Sequence, residues 1–300
     1  MQVLSLGNFE GFGWDGSITD ENHIADALEE LGHEVTRMQR DQIRVFNKRY
    51  DFILISQWDG YPPNLATTLK TCSMGSPLVY WAFDYQADGQ AWHERLVAHS
   101  DLYLSKRIAD SRYPNWRWLS QDFAPQFLDK WEEPISVEKY EQLPLPKDID
   151  VLFTGSYLDW ATERNETLKA IDEKFNLVIH SVNEWPKEWN LDVRPPVMDY
   201  GLPGLYARAK IILSIDHTLE AGYWSDRNAQ IIACGRRPLF RYIPLSEARF
   251  GDRVDYFYSI EDCLKKIAKQ LVEPERPTDA EGLFVKDRVK DLLTIVRRIL

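Results

Sequence analysis

The 300-residue sequence has few cysteines and no long apolar run. Cys72, Cys234 and Cys263 lie far apart with no Cys-x-x-Cys pair, so nothing indicates a disulfide framework or a zinc site. No segment approaches the ~18 consecutive apolar residues of a membrane span, and the first residues, MQVLSLGNF, do not resemble a signal peptide. We therefore expect free, mostly buried thiols in a soluble cytoplasmic protein without a membrane partner.

Positive charge is also scarce, with 36 Lys and Arg against 47 Asp and Glu and a formal net charge of −11. Non-specific nucleic-acid binding depends on clustered Lys and Arg that release counterions, so this composition argues against a protein that coats nucleic acid. It still allows a local basic cleft. Aromatic residues are abundant instead, at 13% with 11 Trp. We expect most of them in cores, while some could stack on sugars or bases.

Apolar runs of strand length alternate with segments of helical periodicity, which is typical of βαβ units with a parallel sheet. The alternation stops in a Pro-rich stretch, 125–146, and restarts at Asp150. We predict an α/β protein of two Rossmann-like domains that face each other across a cleft. The domains are residues 1–125 and 126–279, and a final helix, 280–300, could pack on the first.

Several residues of the second domain stand where strands end and helices begin, which is where open α/β sheets bind ligands. Gly155 and Ser156 end its first strand, Arg164 begins the next helix, and Arg227 lies in the first turn of a later one. A small residue lets backbone N–H groups approach a phosphate, and an Arg can bind it in bidentate fashion. This pattern predicts a site for a phosphate-bearing ligand.

The first domain offers a weaker motif. Gly11, Gly13 and Gly16 match the Gly-x-Gly-x-x-Gly spacing of dinucleotide sites. However, a long loop separates them from the first strand, and no acidic residue is evident at the end of the second strand. An NAD-dependent epimerase or dehydrogenase is therefore a minor alternative.

The second domain resembles the donor domain of GT-B fold glycosyltransferases, and most closely the CgeB/YkvP-like group related to glycosyltransferase family 4. The resemblance is carried by residues 150–168, 205–215 and 225–240. It implies that residues 126–279 bind a nucleotide-diphosphate sugar, with a UDP-sugar favoured, and that residues 1–125 bind the acceptor. No other cofactor is implied. The donor-binding residues would be Gly155, Ser156, Arg164, His180, Ser225, Asp226, Arg227 and Gln230.

Two positions depart from the family pattern. Gln230 stands where an acidic residue would accept hydrogen bonds from the ribose, and Gln brings no charge. Arg236 and Arg237 precede Pro238, one residue more than is common, and we expect both to face solvent. These departures leave open a non-catalytic nucleotide-sugar-binding protein as the alternative.

The resemblance implies transfer of a sugar to an acceptor hydroxyl with retention of configuration. The only Asp-x-Asp, at 148–150, precedes a strand, so we expect no metal site. An inverting enzyme would need a base, for which Asp15, Asp84 and His23 are the candidates.

The acceptor is less well defined. Residues 106–118 interleave four basic residues with aromatic ones, as a patch that grips phosphates and stacks a base would. We take Gly13, Trp14, Arg112 and Trp116 as acceptor-binding candidates. The acceptor could be a hydroxymethylated DNA base, as for some phage enzymes, which would make the chain a DNA modification enzyme. A saccharide, a protein or a small molecule is an equal alternative.

Overall fold

Two parallel β-sheets organise the chain in the computed structural model. The structure describes residues 1–10, 18–40, 42, 47–56, 62, 64–83, 90–130, 147–276 and 278–300. They form two units, Met1–Gln121 with Val285–Leu300, and Asp122–Phe284.

The first unit has a six-stranded sheet in the order β2-β1-β3-β4-β5-β6. Its strands and helices are β1 (Gln2–Gly7), α1 (Asp20–Glu30), β2 (Glu34–Gln39), β3 (Phe52–Ser56), α2 (Leu65–Cys72), β4 (Leu78–Trp81), α3 (Ala91–His99), β5 (Leu102–Ser105) and β6 (Trp116–Trp118).

The second unit has another six-stranded parallel sheet, in the order β12-β11-β10-β7-β8-β9. Its elements are β7 (Ile149–Thr154), α4 (Thr162–Asp172), β8 (Leu177–His180), β9 (Asp192–Arg194), α5 (Leu202–Arg208), β10 (Ala209–Ser214), α6 (Arg227–Ala233), β11 (Leu239–Arg241), α7 (Ser246–Phe250), β12 (Asp255–Phe257) and α8 (Ile260–Gln270).

The last helix, α9 (Val285–Ile299), belongs to the first unit and packs on α1. Helix α1 begins with Asp20 and Glu21, whose charges suit the positive end of the helix dipole. Its apolar residues Ile24, Ala27 and Leu28 are buried, as the helical spacing predicts.

The strands have the burial expected for parallel sheets covered on both faces. Along β3 every residue is buried, and Val151, Leu152 and Phe153 of β7 are fully buried. The predicted α/β class with two Rossmann-like sheets is confirmed. Strand β9 and helix α7, of three and five residues, were not predicted, because such short elements carry little periodicity.

Cys263 is buried, whereas Cys72 and Cys234 are half-buried, and all three are free thiols. Burial raises the pKa of Cys234 and of Cys263 to about 12, so both stay protonated at neutral pH. In the part of the chain that the structure describes, no helix is long and apolar enough to cross a membrane.

Candidate functional site

The strand order of the second unit fixes where a ligand can bind. From β7 the chain moves one way to β8 and β9, then returns to the other side of β7 for β10, β11 and β12. The loops after β7 and β10 therefore diverge and leave a crevice at the carboxyl ends of these strands. Gly155 follows β7, and Asp216 lies two residues after β10.

Gly155 makes room for an arginine. A Cβ atom at this position would lie 2.9 Å from Nη2 of Arg227 and 3.0 Å from Cζ of Phe153. Arg227 is the first residue of α6, and its side chain is 16% exposed. Its guanidinium carbon lies 5.1 Å from the centre of the Phe153 ring, and Nη1 donates to the carbonyl of Ile215 at 3.4 Å. Any larger residue at 155 would displace this guanidinium.

Arg164 lies on the same ring. It is in the first turn of α4 and buried, with its guanidinium carbon 5.8 Å from the Phe153 ring centre. Nη2 donates to the carbonyl of Ser156 at 2.7 Å. Burial, and secondly the charge of Arg227, lower the pKa of Arg164 to about 10, so it remains charged at neutral pH. The crevice thus has two cations at its base.

A buried carboxylate lies beside them. Asp216 accepts hydrogen bonds from the Ser225 hydroxyl at 2.6 Å and from the Ser225 backbone N–H at 3.3 Å, both at Oδ1. The same oxygen is 3.7 Å from Nη1 of Arg227. Asp216 therefore ties the loop after β10 to the start of α6. Asp216 was not among the predicted site residues, although an acid two residues after a buried strand is a usable signal.

The residue that departs from the family pattern has a carboxylate partner. Nε2 of Gln230 donates to Oδ2 of Asp226 at 2.5 Å, one turn earlier on the helix. An acid is therefore present at the start of α6 even though position 230 is an amide. Both residues were predicted to bind the donor, but their contact was not predicted.

His180 ends β8, next to Gly155, whose N–H donates to the His180 carbonyl at 2.9 Å. The ring Nδ1 donates to the carbonyl of Pro195 at 2.6 Å, so in the neutral ring Nε2 is an acceptor. Burial lowers the pKa of His180 more than the Pro195 carbonyl raises it. The side chain of Asn183 fixes the neighbouring loop through the backbone of Tyr157, accepting at 2.7 Å and donating at 2.8 Å.

Residues 163–298 match the family model described as glycosyl transferase-like. No curated protein sequence gives a significant match.

Among solved structures, an alpha-glucosyltransferase in complex with UDP and a 13-mer DNA aligns with a TM-score of 0.65 at 11% identity, over 99% of both chains. AviGT4, a glycosyltransferase involved in avilamycin A biosynthesis, aligns with a TM-score of 0.62 at 12% identity, over 99% of this chain and 97% of its own. A mutant of the T4 phage BGT in complex with UDP-glucose gives a TM-score of 0.57 at 13% identity, over 100% of this chain and 97% of its own.

The chain has the GT-B fold. The predicted fold class is thus confirmed, and the family match over residues 163–298 supports glycosyl transfer. The predicted relation to the CgeB/YkvP group and to family 4 stays a prediction.

In this GT-B protein the eight predicted donor-binding residues all belong to the second unit. The structure brings Gly155, Ser156, Arg164 and Arg227 together around Phe153. Ser225 joins them through Asp216, while Asp226 and Gln230 form a pair at the start of α6.

The three described candidates of the first unit differ in exposure, with His23 buried, Trp116 half-buried and Arg112 exposed. His23 is 8% exposed on α1, and burial lowers its pKa to about 4 despite the opposing charge of Asp26. Trp116 packs against the core and donates from Nε1 to the Ser105 hydroxyl at 2.9 Å. Arg112 lies over the Tyr113 ring at 4.9 Å and 3.8 Å from Glu94. Asp15, Asp84, Gly13 and Trp14 lie outside the described residues.

Two expectations about basic residues need correction. In the segment 106–118, Lys106 and Arg107 are buried, at 2% and 7% exposure, so it is not a continuous basic surface. The expectation that Arg236 faces solvent is wrong. Its guanidinium donates to the carbonyls of Tyr206 and Ala209, because the end of α5 leaves carbonyls that need donors.

Proposed function

We propose that this chain transfers a sugar from a nucleotide-diphosphate sugar, with UDP as the favoured nucleotide, to an acceptor hydroxyl. The observation that carries the proposal is the pair of arginines, Arg164 and Arg227, held beside Gly155 at the crevice of the second sheet. Both side chains are largely shielded from solvent, and this strengthens their attraction for a diphosphate compared with the same charges in water.

The donor would bind with its diphosphate on these guanidiniums and its ribose at the start of α6. There the Asp226 carboxylate, held by Gln230, can accept hydrogen bonds from ribose hydroxyls. This pair would take the place of the single acid that the family resemblance implies at position 230. Nε2 of His180 is a further hydrogen-bond acceptor for the donor. In the neutral ring Nδ1 carries the proton, because it donates to the Pro195 carbonyl.

The chemistry follows from the leaving group. As the bond between the sugar and the diphosphate breaks, negative charge develops on the phosphate oxygens. Arg164 and Arg227 are positioned to stabilise it without reorganisation. For this reason we propose that transfer needs no divalent metal, and that activity is unchanged in excess EDTA. Retention of configuration is part of the proposal, and NMR of the product's anomeric proton tests it.

If the reaction instead inverts the configuration, fewer of the predicted residues can act as the base. A side chain with the burial and low pKa of His23 is poorly suited to take a proton from an acceptor. Asp15 and Asp84 keep their place as candidates.

For the acceptor we propose the hydroxyl of a hydroxymethylated base in DNA. The support is that several GT-B structures similar to this one are DNA-modifying glucosyltransferases, including complexes with DNA containing an HMU base. A saccharide is the alternative. We expect labelled sugar to pass from UDP-glucose to DNA containing 5-hydroxymethylated bases and not to unmodified DNA. Transfer only to saccharides would overturn the DNA proposal. We also propose that the protein acts in the cytoplasm.

The donor site is tested by Arg227→Ala. Loss of a charge-assisted contact to phosphate should weaken UDP binding by about tenfold to a hundredfold in calorimetric titration. Arg276→Ala is the matched control, because Arg276 is exposed and pairs with Asp255 away from the crevice. UDP affinity that is equal in the two variants would contradict the proposed site.

A further inference from the structure

A cavity of about 240 Å³ lies beside Arg164, between the start of α4 and the loop after β10. Its lining includes Trp160, Glu163, Arg164, Asp216, His217 and Arg241. Pockets for drug-sized ligands begin at roughly 300 Å³, so this one suits a smaller molecule of about one ring.

Asp216 indicates that this molecule must provide a hydrogen-bond donor. Its side chain is 1% exposed. Oδ1 is occupied by Ser225, whereas Oδ2 has no hydrogen-bond partner among the residues that the structure describes. A buried carboxylate oxygen without a donor is costly, and a ligand that donates a hydrogen bond would relieve that cost.

The charges of the cavity narrow the ligand class. Asp216 would repel an anionic group and Arg164 a cationic one, while Glu163 and Arg241 form an ion pair with each other. Nε of Arg164 also has no partner within the described ranges, so the cavity offers a donor as well as an acceptor. A neutral ligand with several hydroxyls satisfies both, because each hydroxyl donates and accepts.

Trp160 adds an apolar face. It is 56% exposed and meets the His217 ring edge-on at 5.0 Å between ring centres. Such a face can pack against the C–H face of a sugar ring.

We infer that this cavity receives the sugar of the donor, and that Oδ2 of Asp216 accepts a hydrogen bond from a sugar hydroxyl. Asp216 is then a specificity-determining residue that favours a neutral hexose over a uronic acid, whose carboxylate it would repel. The inference rests on the proposed function and names the sugar class of the same donor site.

The test is Asp216→Asn. The amide keeps an oxygen for Ser225 and places an NH₂ group at the Oδ2 position, so the loop stays anchored while the acceptor becomes a donor. Binding is measured by titration with UDP, UDP-glucose, UDP-galactose, UDP-N-acetylglucosamine and UDP-glucuronate. We expect UDP affinity to change by about twofold or less, and affinity for at least one neutral UDP-hexose to fall about tenfold further. The preference for neutral sugars over UDP-glucuronate should shrink.

Asp172→Asn is the matched control, because Asp172 ends α4, ~15 Å along the helix from the cavity. It should bind every probe like the wild type. If Asp216→Asn weakens UDP and all neutral UDP-hexoses by the same factor, while Arg227→Ala still loses UDP, the inference is wrong and the proposed function stands. If the wild type binds neither UDP nor any UDP-sugar, GDP and ADP included as probes, both are overturned.

Discussion

At the scale of single residues, Gly155 shows how the absence of a side chain shapes a site. We predict that Gly155→Ala displaces the Arg227 guanidinium, because the new Cβ would lie 2.9 Å from Nη2 and 3.0 Å from the Phe153 ring. UDP affinity should fall about tenfold, measured by titration, with little change in the far-UV spectrum. Gly204→Ala is the control, since a Cβ at this position of α5 meets nothing within 4 Å. Equal UDP affinity in both variants would contradict the role given to Gly155.

The arginines and Gly155 could be predicted from the sequence, because their positions follow from where strands end. The contact of Asp216 with Ser225 and the contact between Asp226 and Gln230 could not, since they depend on side-chain directions around one turn of loop or helix. The exposure of the basic residues in segment 106–118 was harder still to predict. Lys106 and Arg107 read as surface charges, yet they follow a fully buried strand, β5, and are themselves buried.

At the scale of elements, His23 on α1 makes the free energy of unfolding depend on pH. The pKa of His23 is about 4 in the folded chain and about 6.5 when unfolded, because burial disfavours the charged ring. The unfolded state therefore binds the proton first. The resulting stability is complete above pH 6.5 and is lost as pH falls towards 4. Between pH 7 and pH 5 the loss should be about 2 kcal/mol.

Urea denaturation of His23→Gln at both pH values measures this dependence. The variant should lose less stability on acidification than the wild type by about that amount. His99→Gln, at an exposed position on α3, should behave as the wild type. An unchanged pH dependence in His23→Gln would show that the buried ring is not responsible.

Most elements were predictable because long apolar runs and helical spacing reflect burial directly. The order of the strands was not. Strand order depends on the edge of the sheet to which each successive βα unit is added. This order places β7 beside β10. The site therefore follows from a property that no single segment encodes.

At the scale of the whole molecule, the two units should respond differently to the nucleotide. We predict that saturating UDP slows backbone amide exchange in residues 154–164 and 215–228, which border the crevice of the second sheet. At a hundredfold excess over the dissociation constant, binding stabilises the folded state by about 2.7 kcal/mol. Hydrogen-exchange mass spectrometry measures this. Protection confined to the first unit would contradict the assignment of the donor site.

The ring of Phe153 brings two like charges close together. It holds two guanidiniums against one hydrocarbon surface, and the charge of Arg227 lowers the pKa of Arg164. The site thus contains a repulsion between two cations that the fold must tolerate. Asp216, 3.7 Å from Arg227, offsets part of this repulsion, so replacing Arg227 with a neutral residue would leave a buried carboxylate without its cation. The protein keeps this local frustration as a condition of its chemistry.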